Sequence, residues 1–466
     1  MPDIFHLLDH PWIPVALASG RRAFVRPCDI CQPFDGEPIV GVSTGRPDCD
    51  ISLAEFLIGL LTVAIGPHND DEWFERFGSP PTIEELQAAL MPFDDAFVLD
   101  GDRLRFFQDR EALDGDATPI SGLLIDAPGV STTRDNADHF VKRGRTNVLS
   151  RAGAAIMLVT LQTSAPSGGA GHRTSLRGGG PLTTLVVPGA GQGVQPTLWQ
   201  RLWANVPKGL GATPHDAPAV FPWLGPTRVS DKSGLTTTPT DVHASQAFFG
   251  MPRRIRLIFE PNTERLECDL LGIVDDVIVT GYVTRPWGTN YTAWDRAHPL
   301  SPYYKPKPAE PTFLPVHLQS ARVGYREWLG MAVGSLDGSR EPARCVADFS
   351  RRAQDFVGEN AAVRTEARLL AAGYAMDNMK PLDFGEALMP LIVGSSPQAN
   401  EQIRLEASAL IKSAELIASQ LVISVKIGLY GERAKADRDS AVLLPVRERF
   451  WADTEEAFYA ALRQAA

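Results

Sequence analysis

The sequence predicts an α+β protein, with a large irregular mixed α/β N-terminal domain followed by a C-terminal antiparallel helical bundle. Three observations predict it. Residues 1–340 are rich in proline and glycine, and their short apolar runs alternate with helical patches. Beyond about Glu341 apolar residues recur at helical spacings. Between the two, Asp295–Thr312 (DRAHPLSPYYKPKPAEPT) is proline-dense and reads as an extended connector. The chain then divides into 1–340, a helical linker over 341–395 and a bundle over 396–466.

Each element has a local reason. Trp12–Val15, Leu182–Val187, Ile255–Phe259 and Ile273–Val283 are apolar runs of strand character. Leu53–Ile65 and Thr82–Leu90 are helical, the latter opened by Pro80-Pro81-Thr82 with Glu84-Glu85 in its first turn. Arg344–Val357 places Val346, Phe349, Ala353 and Phe356 on one face. In Asn400–Tyr430, Ile403, Leu410 and Ile417 recur at sevens, as do Ala407, Ala414 and Leu421, and Gly431 is a C′ stop. A final helix, about Val446–Leu462, presents Val446, Phe450, Ala457 and Ala461. All of these stripes read as core.

Composition excludes several functional classes. A chain of 466 residues with 44% hydrophobic and 22% charged residues is an ordinary globular protein of two or three domains. No stretch of about 18 uninterrupted apolar residues marks a membrane span, and the N-terminus lacks a basic secretory region. Five cysteines fit a reducing cytoplasm better than a disulfide scaffold. A net charge of −11 excludes a protein that coats nucleic acid unaided.

Against that background Ser164–Leu185 (SAPSGGAGHRTSLRGGGPLTTL) stands out. Two glycine clusters surround His172, Arg173 and Arg177, so backbone amides and guanidinium groups can press close to an anion. The same stretch reads equally as a flexible loop. From Arg134 to Arg177 seven basic residues (Arg134, Lys142, Arg143, Arg145, Arg151, Arg173, Arg177) face only Asp135 and Asp138, a local +5 that fits a polyanion footprint or a solvated face. Catalytic patterns are weak. Gly189–Gly193 has G-x-G-x-G spacing and no acidic residue at the ribose position of a dinucleotide site. Cys28-x-x-Cys31 lacks a second pair, His215-Asp216 lacks partner histidines, and the pairs Asp70-Asp71 and Asp275-Asp276 read as surface charge. The expectation is a non-enzyme with no cofactor and no metal.

Trp12-Ile13-Pro14-Val15 and Ser175-Leu176-Arg177-Gly178-Gly179-Gly180-Pro181-Leu182-Thr183-Thr184 resemble the large (CasA-type) subunit of Cascade, the type I-E CRISPR surveillance complex. Thr280-Gly281-Tyr282, His298–Pro302 (HPLSP) and Ala372-Gly373-Tyr374, the last introducing a loop before the bundle, follow in the family's order. The resemblance implies a subunit that holds the guide-RNA end and reads the protospacer-adjacent motif in double-stranded DNA from the minor groove. It then starts strand separation and helps to recruit a helicase–nuclease. The implied partners are target DNA, CRISPR RNA, the other Cascade subunits and that nuclease, with no membrane.

Residue by residue, the family's glycine loop falls on Ser167, Gly168, Gly169, Ala170 and Gly171, with Ser167 and Ala170 replacing glycines. Its strand-separating wedge falls on Asp377 and Asn378, where the family commonly has Asn-Gln; Met376 and Met379 flank the pair. Its lysine finger aligns with Pro286, which makes Arg285 the basic candidate. A basic loop contacting guide RNA and a neighbouring subunit maps to about His139–Arg151, with Phe140, Lys142, Arg143 and Arg145 as contacts. Some relatives hold a four-cysteine zinc site where only Cys268 stands here, so zinc is not expected. The family's bundle has four helices, and this chain supplies what reads as three. Outside the resemblance, the alternatives are a protein-only scaffold and a small-molecule enzyme using the Gly189–Gly193 turn.

Overall fold

A computed structural model describes residues 3–128, 144–169, 171–231, 234–307, 310–320, 322–431 and 442–466. Four small antiparallel sheets and a C-terminal pair of long helices make the fold α+β, as the sequence predicts. Strands β1 (Ile13–Leu17), β2 (Arg22–Val25) and β3 (Ile39–Val42) form a first sheet in the order β2-β1-β3. The helices α1 (Pro47–Ile65), α2 (Asp70–Gly78) and α3 (Ile83–Leu90) follow. Thr82 caps α3, accepting from the Glu85 N–H at 3.1 Å while Glu85 returns a bond to Thr82 N–H.

Helix α1 is apolar almost all round, and a helix of that kind has to be buried. Its Phe56 ring meets Trp12, Phe97, Phe106, Phe107 and Phe249 at centroid separations of 5.5–6.5 Å. Helix α4 (Arg151–Ser164), nearly as buried, packs against it, with Cys49 Sγ 3.7 Å from Met157 Sδ. The second sheet is built on β8 (Val277–Arg285). The short strands β4 (Thr118–Pro119) and β5 (Leu149–Ser150) pair with one edge and β7 (Arg254–Pro261) with the other. Helix α5 (Leu198–Trp203) inserts Trp199 and Trp203 beside Trp73 of α2. The proline-dense connector supplies β9 (Tyr303–Tyr304), flanked by β10 (Leu314–Pro315) and β11 (Arg340–Glu341).

Residues 341–395 depart from the helical linker that the sequence predicts. Helix α7 (Arg344–Arg352) and a short helix at Ala361–Thr365 form, but a hairpin of β12 (Arg368–Asp377) and β13 (Lys380–Pro390) follows. Ala372-Gly373-Tyr374 lies inside β12 and does not introduce a loop. The cause is a partner far away in sequence: β12 also pairs with β6 (Thr183–Val187), about 185 positions earlier, and no local pattern encodes that pairing.

Helices α8 (Pro397–Tyr430) and α9 (Leu443–Ala465) lie against each other and against α6 (Tyr325–Ala332). Tyr325 stacks on Phe458 at 4.6 Å and its hydroxyl lies 2.7 Å from Thr454 Oγ1. The predicted seam is corrected here. The buried positions of α8 are Ile403, Ala407, Ile411, Ala418 and Val422, whereas Ile417 and Leu421 are exposed. A strict seven-residue repeat needs a partner helix running the full length, and α9 is 23 residues against 34. In α9 the buried set is Leu443, Phe458, Tyr459 and Leu462, with Ala457 facing out. Gly431 ends α8 with φ +80°, as its C′ role requires. Among the described residues α8 is long and apolar enough to cross a membrane by length and composition, although its sequence has no uninterrupted apolar run.

Candidate nucleic-acid interface

The two glycine clusters do different jobs. Ser167, Gly168 and Gly169 are exposed at the tip of a loop closed by two backbone bonds, from Gly168 N–H to His172 O and from His172 N–H to Gly169 O (3.4 and 3.2 Å). Among the described residues no acceptor is bonded to the N–H groups of Gly169 or Gly171. Ala170 lies outside the described residues. The second cluster is buried: Gly180 N–H donates to Ser164 O at 3.0 Å, and Ser175 N–H to Ala165 O at 2.9 Å.

Arg177 fixes that second cluster from within the core. It is 4% exposed and donates to Glu55 Oε2 at 2.5 Å, Thr183 Oγ1 at 3.0 Å and Ser301 Oγ at 2.9 Å. Burial pushes the Glu55 carboxyl up, against the pull of Arg177. His298 approaches the same carboxylate at 3.7 Å, but burial and the Arg177 charge hold it well below its usual range, so the imidazole is neutral and forms no ion pair. The motif LRGGGPLTT is therefore a structural clamp between α1, β6 and the HPLSP turn.

The basic count is corrected by the same observation. Arg177 is spent on Glu55, and Arg151 on Asp275 (2.7 Å) and Asp100 (3.4 Å). Asp275 is thus no surface charge. Asp70 is partly exposed but paired: it accepts from Arg351 (2.5 Å), Arg352 (2.9 Å) and Lys208 (3.2 Å), and Arg351 above all holds its carboxyl far below the usual range. Arg173 remains at the loop, its Nε donating to Ser230 Oγ at 2.8 Å and its guanidinium lying 5.4 Å from the Trp287 ring centre. Arg145 is exposed. Phe140, Lys142 and Arg143, with Arg134, lie outside the described residues.

Three distant segments converge on the glycine loop. The first is Arg285-Pro286-Trp287, leaving the end of β8. Trp287 N–H donates to Gly171 O at 2.6 Å, and a methyl on Gly171 would lie 2.8 Å from Pro286 Cβ, so glycine is required there. Trp287 itself has φ +65°, a costly conformation for a bulky residue that the surrounding contacts impose. The backbone of Arg285 is in register with Arg254, while its exposed side chain has no hydrogen bond or ion pair among the described residues. The sequence singled out Arg285 and passed over Trp287; the dipeptide Trp-Gly after a strand is too common a signal.

The second segment is the tip of the β12–β13 hairpin. Asp377 pairs with Lys380, leaving Asn378 (φ +46°) and Met379 (φ +64°) as a two-residue turn of the I′ kind, which needs positive φ at both positions. Asp377, Asn378 and Met379 are exposed, and Asn378 Nδ2 donates to Asp377 Oδ1 at 2.9 Å. The tip packs on the second glycine cluster: a methyl on Gly180 would lie 2.6 Å from Met376 Cε, and one on Gly179 would lie 2.8 Å from Met379 Sδ and 2.9 Å from Pro166 Cα. The outer half of the hairpin is anchored where Tyr374 Oη donates to Asp48 Oδ2 at 2.5 Å. The third segment is Met251–Arg254, entering β7, which places Arg253 beneath Pro166.

Other sequence patterns resolve as architecture. Gly189 carries no side chain because one would collide with Ala362 O, and Gly191–Gly193 is a single 3₁₀ turn, so no nucleotide-binding turn opens there. Asp216 accepts from Thr213 N–H (2.9 Å) and Oγ1 (2.7 Å) as a cap. Cys28 and Cys31 are buried, and burial pushes their thiols up to about 11 and about 12. Among the described residues no group of three or more His, Cys, Asp or Glu could hold a metal ion.

An α+β scaffold that gathers a glycine loop, a free arginine and a hairpin tip on one face has the form of a recognition subunit. Comparison with known proteins specifies which. Residues 6–466 match the family model described as CRISPR-associated protein Cse1, and the chain belongs to that family, the type I-E large subunit. The fold is similar to Thermus thermophilus CasA (Cse1), with 20% identity, TM-score 0.66, and coverage of 99% of this chain and 92% of the other. It is similar to Thermobifida fusca Cse1 (18%, TM-score 0.68, 99% and 86%). It is also similar to a chain of a structure titled "CRISPR RNA-guided surveillance complex" (17%, TM-score 0.67, 99% and 89%).

Proposed function

We propose that this chain is the Cascade subunit that reads the protospacer-adjacent motif in double-stranded DNA from the minor groove and begins strand separation. Loop amides at Ser167–Gly171 and the Arg285 guanidinium meet the base edges, where the donor–acceptor pattern is degenerate enough for backbone groups to read. The Asp377-Asn378 tip, with exposed Met379 beside it, enters the stack next to the motif and holds the first base pairs apart. Guide RNA then takes over sequence discrimination by base pairing. Arg145, with the basic residues that precede it in the sequence, contacts guide RNA and a neighbouring subunit, and the opened complex offers a helicase–nuclease its landing surface. The work is binding rather than catalysis, and five unpaired cysteines suit a cytoplasmic setting.

The observation that carries this reading is the convergence of loop, arginine and hairpin tip from positions up to about 210 residues apart in the chain. The test is motif-dependent binding of target duplex by the assembled complex. Gly169→Asp and Arg285→Ala are each expected to abolish it while leaving assembly intact. If both variants bind like wild type, a protein-only scaffold is the correct reading.

A further inference from the structure

Under the exposed loop tip sits a cation that no acid among the described residues neutralises. Arg253 is 9% exposed, and among the described residues no carboxylate lies within ion-pair reach. Its Nη2 donates to Pro166 O, and its Nε is buried without a partner. Gln162 of α4 holds the backbone on both sides, accepting from Arg253 N–H and donating to Arg253 O, each at 3.0 Å. The charged or titratable groups that feel it are His172, which it helps to keep neutral, and the Tyr282 hydroxyl. Desolvation lowers the guanidinium to about 10, so it stays charged at neutral pH.

A buried, unpaired cation is expensive to keep, and a fold tolerates one where a binding partner supplies the missing charge. The geometry says where that partner sits. A methyl on Gly168 would lie 2.7 Å from Arg253 Nη1, so only bare backbone separates the guanidinium from the exposed side of Gly168. Beside it Gly169 (φ +94°) and Gly171 (φ +79°) turn the chain through left-handed conformations of the sort that form concave anion-binding amide clusters.

We propose that Arg253 is the counter-charge for one backbone phosphate of the bound duplex, seated on the outer side of Gly168–Gly169. This rests on the loop being the DNA reader. It adds a contact that carries no sequence information but sets the register in which the loop meets the groove. Acting through a water-poor layer, the charge is screened less than a surface lysine would be.

The assembled complex is titrated with target duplex from about 50 to 200 mM salt, the range over which phosphate contacts dominate affinity. Arg253→Met is expected to weaken binding about tenfold at the low-salt end and to make the slope of log K against log salt shallower by about one phosphate. Arg253→Lys keeps the charge and is expected to keep the wild-type slope. Arg253→Gln, which retains a donor for Pro166 O, is read on the same terms if the methionine variant does not assemble. A wild-type slope in the uncharged variant, or a lysine slope as shallow as methionine's, overturns the proposal, because a merely structural arginine would not move the slope by its charge. Gly169→Asp separates the two claims. If that variant still discriminates the motif, the reading of the loop fails; if it does not, and the uncharged variant keeps its slope, only the role of Arg253 fails.

Discussion

At Met379, beside the proposed wedge, the chain holds a side chain in a strained conformation. A side chain at φ +64° costs about 1–2 kcal/mol relative to glycine, which is the residue a I′ turn prefers at that position. Met379→Gly is therefore expected to stabilise the protein by about 1 kcal/mol in a denaturant titration while slowing the opening of target duplex by the assembled complex. A variant that opens DNA at the wild-type rate would show that the methionine does not take part. The opposite trade holds at Arg177. Removing one partner of a buried pair strands a charge, so Glu55→Gln or Arg177→Met is expected to cost about 3–5 kcal/mol. The penalty is read as an earlier urea midpoint with an unchanged slope. The two residues also show what was legible locally. The glycine string advertised a tight backbone in the sequence, but Arg177 looked like part of a basic patch, because its neutralising Glu55 is 122 positions away.

Between elements, the clearest electrostatic joint is Asp70 at the start of α2 with Arg351 and Arg352 at the end of α7. The carboxyl is held far below its usual range, chiefly by Arg351, so its stabilisation is fully present above the ordinary carboxylate pKa and is lost as pH falls through the lowered value. Asp70→Asn is expected to lower stability by about 1–2 kcal/mol at neutral pH. The gap to wild type should close progressively as melting curves are recorded below about pH 4; a constant gap would assign the loss to packing. Elements that depend on local spacing were read well from sequence: β1, α3 with its cap, α7 and the C-cap of α8. The β12–β13 hairpin was not, because its strand character comes from pairing with β6. Asp377 and Asn378, the residues proposed as the wedge, were singled out by resemblance alone, and their position at a turn became visible only with the hairpin.

For the whole molecule, the long helix α8 keeps several large apolar side chains exposed among the described residues. Leu416 is 64% exposed and Ile417 57%, alongside Leu421, Ile427 and Leu429. Solitary exposed leucines are ordinary, whereas several along one helix call for a test of whether they are packed in solution. Leu416→Glu with Ile417→Glu is expected to leave the urea midpoint of the isolated chain within about 0.5 kcal/mol of wild type. Ile403→Ala, from the buried face, is expected to cost about 2–4 kcal/mol. Equal losses for both would mean that the exposed face is packed in solution. The heptad reading marked α8 as a bundle helix but carried its seven-residue seam along the whole helix, and so credited Ile417 and Leu421 to the core.

The hairpin that carries Asn378 is built like a braced beam. One edge of β12 is fastened to β6, the Tyr374–Asp48 bond ties its outer half to the most deeply buried helix, and Met376 and Met379 rest the tip on Gly180 and Gly179. If the tip parts base pairs as proposed above, a load on it would meet paired strands rather than a loose loop, and the Tyr374–Asp48 bond is the direct link from that beam to α1.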